Sequence, residues 1–155
     1  MTPEEIRTTV SQFADGMFVP HGRVELRRAG HVVYLEASGP FNTEAITALG
    51  AAWRGLFVNL PPGAMFADIA IMHHSVMASP DVLAAFHGFL QRNTTDGLAP
   101  KAVAWVVGPE VEGAEIMVPR FKKIYTEAGR NFRFFATLPD AEAWIDSELV
   151  RLGSS

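Results

Sequence analysis

Residues 66–86, FADIAIMHHSVMASPDVLAAF, decide how this chain folds. From Phe66 to Met72 every residue but Asp68 is apolar, and Ile69, Ala70, Ile71 and Met72 form an unbroken run. A short apolar run with β-branched residues suits a strand buried on both faces. His73-His74-Ser75 breaks the run. Ser79-Pro80-Asp81 then reads as a helix start, with Ser as N-cap, Pro in the first helical position and an acid in the first turn. Val82, Leu83, Phe86, Phe89 and Leu90 follow at helical spacing and make one apolar stripe. The unit is strand, serine-bearing loop, helix, and its joint is where a working site is expected.

The same alternation continues on both sides. Towards the C-terminus, Lys101–Val107 (KAVAWVV) is the most apolar strand and the candidate for a central parallel one. A helix carrying Met117, Phe121, Ile124 and Tyr125 follows, interrupted by Pro119 and ended by Gly129. Phe132–Ala136 is the last strand, and a helix from Pro139 buries Ala141, Trp144, Ile145 and Leu149. Towards the N-terminus, Asn42 caps a helix from Thr43 that turns Ala45, Ile46, Leu49, Ala52 and Trp53 inward. Before it, 23–28 and 31–38 alternate in polarity on either side of Ala29-Gly30, as an antiparallel hairpin at or near a sheet edge does. Arg23, Arg27 and Arg28 would guard that edge. Thr2-Pro3-Glu4-Glu5 has the form of a capping box, and Ile6, Val10 and Phe13 follow at helical spacing. The spacing predicts a helical extension over 1–16 ahead of a single domain over 17–155.

Composition bounds the function. Among 155 residues, 48% are hydrophobic and 19% charged, which gives a globular chain with a real core. The net charge of -4 offers no general attraction to nucleic acid or anionic membranes. With no cysteine, disulfides, thiolate metal sites and a cysteine nucleophile are excluded. The acidic N-terminus does not read as a signal peptide, and no apolar run approaches the roughly 18 residues of a membrane span. Cytoplasmic placement is the expectation.

The element order and the joints resemble the STAS/SpoIIAA-like family over roughly Arg23 to Val150. The resemblance is carried by the opening hairpin, Gly39-Pro40-Phe41-Asn42 before the first helix, strand 101–107, and Phe134-Phe135-Ala136-Thr137 followed by Ala141-Glu142-Ala143-Trp144-Ile145. It implies an α/β fold: a mixed sheet of four to five strands with an antiparallel edge hairpin and packed helices. In the anti-sigma-factor antagonists of this family, a serine in the loop after the third strand is phosphorylated. The matching stretch here is Ala78-Ser79-Pro80-Asp81-Val82, so the resemblance makes Ser79, with Ser75 nearby, the candidate phosphoacceptor. The family's acid before that serine and glycine after it are absent from this chain. The broader STAS-like group, sometimes linked with Sec14-type lipid carriers, is the closer likeness and mostly lacks an assigned activity.

The residues themselves offer little for catalysis. Adjacent His73 and His74 would point to opposite faces of a strand and cannot hold one metal together. Ser75 and Ser79 have no nucleophile elbow or base partner. Neither GxGxxG nor GxxxxGK[ST] occurs, so no nucleotide, metal or other cofactor is expected. Lys101, Arg120, Lys122, Lys123, Arg130 and Arg133 read as a solvated basic face. Phe41, Met72, Met77 and Phe86 could line an apolar groove between the serine loop and its helix, because flexible Met with aromatics makes an adaptable site. Two classes stay open: a non-catalytic regulatory or protein-interaction module, and a carrier or sensor of a small hydrophobic ligand or lipid. The partner is accordingly a protein or a small hydrophobic ligand, and a homodimer stays open.

Overall fold

The computed structural model describes residues 5–9 as backbone, and residues 23–58 and 65–153 in full. Strands β1 (Glu5–Thr9), β2 (Arg23–Ala29) and β3 (Val32–Ser38) lead into helix α1 (Thr43–Leu56). Strand β4 (Ala67–His73), helix α2 (Pro80–Thr95), strand β5 (Ala102–Val107), helix α3 (Ala114–Glu127), strand β6 (Phe132–Phe135) and helix α4 (Leu138–Gly153) complete it. The strands lie side by side in chain order. β2 and β3 pair antiparallel, and β3, β4, β5 and β6 are mutually parallel. Strands β2–β6 thus form the expected mixed arrangement, and β1, paired antiparallel with β2, makes the sheet six-stranded. β5 is interior, between β4 and β6.

The strand order dictates the layers. Each crossover from β3 to β6 steps one strand in the same direction, and such crossovers are right-handed, so α1, α2 and α3 share one face. Alternation along β4 sends Ala67, Ile69 and Ile71 to one side and Asp68, Ala70 and Met72 to the other. On the first side, Ala67, Ala102 and Ala104 are fully buried beneath Ala141 and Ile145 of α4. Those alanines let the α4 backbone approach β4 and β5 closely. On the second side the layer is thick and aromatic: Trp53, Phe86, Phe89, Trp105, Phe121 and Tyr125 pack mostly edge to face. Each such ring pair adds about 0.5–1.5 kcal/mol beyond simple burial.

The helix ends follow their residue chemistry. Asn42 Oδ1 accepts the Ala45 N–H at 2.9 Å and caps α1. Ser79 Oγ accepts the Val82 N–H at 3.3 Å and caps α2, with Pro80 in the first turn. α3 runs on through Pro119, with no restart there. It ends at Gly129, whose φ of +72° lets the Arg130 N–H reach Tyr125 O at 3.0 Å.

One expectation is overturned. Glu5–Thr9, inside the predicted N-terminal helix, is a strand paired antiparallel with β2. The sequence Glu5-Ile6-Arg7-Thr8-Thr9 is rich in β-branched residues, and β2 offers it a full row of backbone donors and acceptors. β2 is therefore covered from Glu25 to Ala29, and Arg27 and Arg28 do not guard an open edge. The rest of the predicted extension, 1–4 and 10–16, lies outside the described residues. Among the described residues, no helix is long and apolar enough to cross a membrane.

Candidate functional site

A cavity of about 60 Å³ lies between the sheet and the α1–α3 layer. Ala37 of β3 and Ala70 of β4 form part of its floor, and the large rings of Trp53, Phe86, Phe89 and Trp105 stand around them. Small residues facing large rings leave space that neither layer fills. Met72, Phe86 and Phe41 all line it, so three of the four expected groove residues meet here. Met77 is not among the lining residues. It packs over Gly113 at the start of α3, where a Cβ would collide with its sulfur.

Almost the whole lining is buried. Phe41 is the lining residue that keeps part of its surface exposed, so it stands where the cavity comes nearest to solvent. Three loops at the carboxyl end of the parallel strands hold it there. The Gly39 N–H donates to Ser75 O at 3.0 Å. A Cβ at Gly39 would strike both Ser75 O and the Phe41 ring, so only glycine allows this approach. Ser75 Oγ in turn donates to Glu112 Oε1 at 3.0 Å and accepts the Met77 N–H at 3.1 Å. Backbone bonds from the Val76 N–H to Glu112 O and from the Glu112 N–H to His74 O close the set.

This geometry separates the two serines. Ser75 is 4% exposed and its hydroxyl is committed on both sides. Ser79 is exposed at the first turn of α2. His73 ends β4 and lies 3.2 Å from Glu36 Oε1, while His74 turns with a φ of +63°. Among the described residues, no three of His, Asp and Glu stand close enough to hold a metal ion.

The polar side of the cavity escapes the sequence reading. Asp68, the second residue of β4, projects towards the helices, between Val33 and Val103 on the flanking strands. It is 6% exposed, and its Oδ1 has no hydrogen-bond partner. Burial alone pushes its carboxyl up to about 7. Nearby, Trp105 Nε1 donates to the Tyr125 hydroxyl at 2.9 Å. Burial, and then the charge of Asp68, push the Tyr125 phenol well above its usual range. Asn93, buried on α2, lines the same space. Arg130 is half-buried and donates to Leu90 O at 2.6 Å and Thr94 Oγ1 at 2.9 Å. It ties the end of α3 to α2 and so departs from the solvated basic face expected of it. The signal for Asp68 was in the sequence: one acid among Phe66, Ala70 and Met72, all at even spacing on one face.

Neither a comparison with known protein families nor one with curated proteins gives a match for this chain.

Proposed function

We propose that this protein is a non-catalytic sensor module of STAS-like type, working in the cytoplasm, which holds a small, mainly hydrophobic ligand in the α1–α3 cavity. The observation that carries this reading is the cavity wall. It is almost wholly apolar, and Asp68 is the one carboxyl in it, with no histidine, lysine or serine beside it among the described residues. Such a wall binds and orients, and it lacks the acid–base pairing that catalysis uses. Size narrows the ligand. Binding pockets for drug-sized molecules run to roughly 300–1,000 Å³, well above the 60 Å³ here. A lipid chain would need the helices to move apart, whereas a molecule of a few carbons would not.

The readout is the loop cluster. A ligand favours whichever state it contacts better. One that displaced the Phe41 ring would press on Gly39, and Gly39 is bonded to Ser75, which holds Glu112 and Met77. The surface formed by residues 73–79 would then change for a protein partner. The test is native mass spectrometry of protein purified gently from its host. A co-purifying small molecule, released on denaturation, supports the reading. Bare protein that also fails to take up any small apolar compound counts against it.

A second reading rests on Ser79. It is exposed, and it caps α2, where free amides and the positive end of the helix dipole favour an anion. Phosphorylation there would alter the same surface, against repulsion from Asp81. Phosphopeptide mapping and partner recovery with Ser79→Glu test it.

A further inference from the structure

Asp68 is costly where it stands. A carboxyl without hydrogen-bond partners loses hydration that the protein does not replace. Its Oδ1 is unpartnered, the residue is 6% exposed, and it lines a cavity with room to spare. One water occupies roughly 10–15 Å³ on the scale that applies here, so about 60 Å³ admits a few waters or one small organic molecule. Ala70 follows Asp68 on the same face of β4, and the helices close the space with apolar side chains, Leu49 of α1 and Phe86 of α2.

We propose that Asp68 is the anchor for the polar head of the cavity's ligand, and that this head is a hydrogen-bond donor, an ammonium or a hydroxyl, on a branched aliphatic body of a few carbons. This rests on the ligand-sensor reading above and specifies its chemistry. The carboxyl supplies the one acidic acceptor of the lining, where the other side-chain carbonyl is the neutral amide of Asn93. Trp105 spends its N–H on the Tyr125 oxygen, so Tyr125 keeps only its own O–H, and the apolar wall takes the body. A carboxylate head is disfavoured, because it would meet Asp68 with like charge and no lining cation. α1 and α2 present only uncharged side chains to the cavity, and β4 and β5 add none but Asp68. From α3 comes Tyr125, with Arg130 beyond it.

The experiment uses three compounds with one heavy-atom skeleton: isobutylamine, isobutanol and isopentane. Each is titrated into wild type and Asp68→Leu, and binding is read from the methyl NMR signals of Met72, Leu49 and Val103. In wild type, the amine or the alcohol should bind about tenfold or more tightly than isopentane, as bonds to charged or unpaired groups imply. The amine outranking the alcohol identifies an ammonium ligand, and the reverse a hydroxyl one. Asp68→Leu should erase the preference. If that variant does not fold, wild type alone decides. Isobutylamine stays cationic from pH 5 to pH 9, so it should bind more tightly as Asp68 ionises, while isopentane binding stays constant. Equal binding of all three to wild type overturns the role of Asp68 and leaves the sensor reading standing. No shift of those methyls with any compound overturns both.

Discussion

The Trp105 indole N–H ends on the Tyr125 hydroxyl at 2.9 Å, joining β5 to α3 in the middle of the core. Tyr125 also stacks on Phe132 with ring centroids 4.1 Å apart. Tyr125→Phe keeps the stack and removes the acceptor, leaving a buried indole N–H unpaired. We expect a loss of about 1–3 kcal/mol in urea unfolding, with the fold retained. An unchanged midpoint would mean that the pair does not hold α3 to the sheet.

Asp68 should write its burial into the pH profile. Its carboxyl ionises near the usual 3.8 when unfolded and at about 7 when folded. Between those values the unfolded chain binds fewer protons than the folded one, so stability falls as pH rises through that window. At about 1.4 kcal/mol per pH unit, the fall is on the order of 4 kcal/mol from below pH 4 to above pH 7. Asp68→Asn cannot ionise. It should show a flatter profile than wild type and exceed it in stability above pH 8. Parallel profiles for the two proteins would remove Asp68 as the cause.

Gly39→Ala places a Cβ against Ser75 O and the Phe41 ring. One of the two loops must move, at a cost of roughly 1–3 kcal/mol. Thermal unfolding measures the cost. Amide shifts spreading from residues 39–41 to residues 75–77 would show that the two loops move together, and shifts confined to 39–41 would break the relay between Phe41 and the 73–79 surface.

Ser79→Ala removes the cap on α2 and should lower stability by roughly 0.5–2 kcal/mol. If phosphate is found on the protein, it should map to exposed Ser79 and not to Ser75, whose hydroxyl is buried between Glu112 and Met77. Phosphate at Ser75 would require the loop to open.

The elements from β3 to α4 were legible because each carries its own period and its own punctuation: Asn42 and Ser79 as caps, Gly129 as a stop. The first strand was not. Thr2 to Phe13 matches a helical template, and what draws Glu5–Thr9 into the sheet is β2, a partner twenty residues away along the chain. Such tertiary pairing overrides local propensity. At the site, Met72 and Phe86 could be brought together from their places in the unit, because strand alternation and helical spacing point both at one layer, whereas Phe41 sits in the loop before α1 and follows the contact of Gly39 with Ser75. Met77 could not, since its direction depends on how the loop after β4 meets Gly113. Asp68 looked like a lone exception in an apolar strand. Its meaning depends on whether a partner faces it across the layer, which one strand's sequence does not record.

The central claim is that the α1–α3 cavity is a ligand site. Its most direct test is a crystal structure of protein taken from its native host and never unfolded. We predict electron density for a small organic molecule between Asp68, Ala70 and Phe86, with its polar end within hydrogen-bond distance of Asp68 Oδ1. Well-ordered waters alone in that space, or side chains closed over it with no density, would contradict the account.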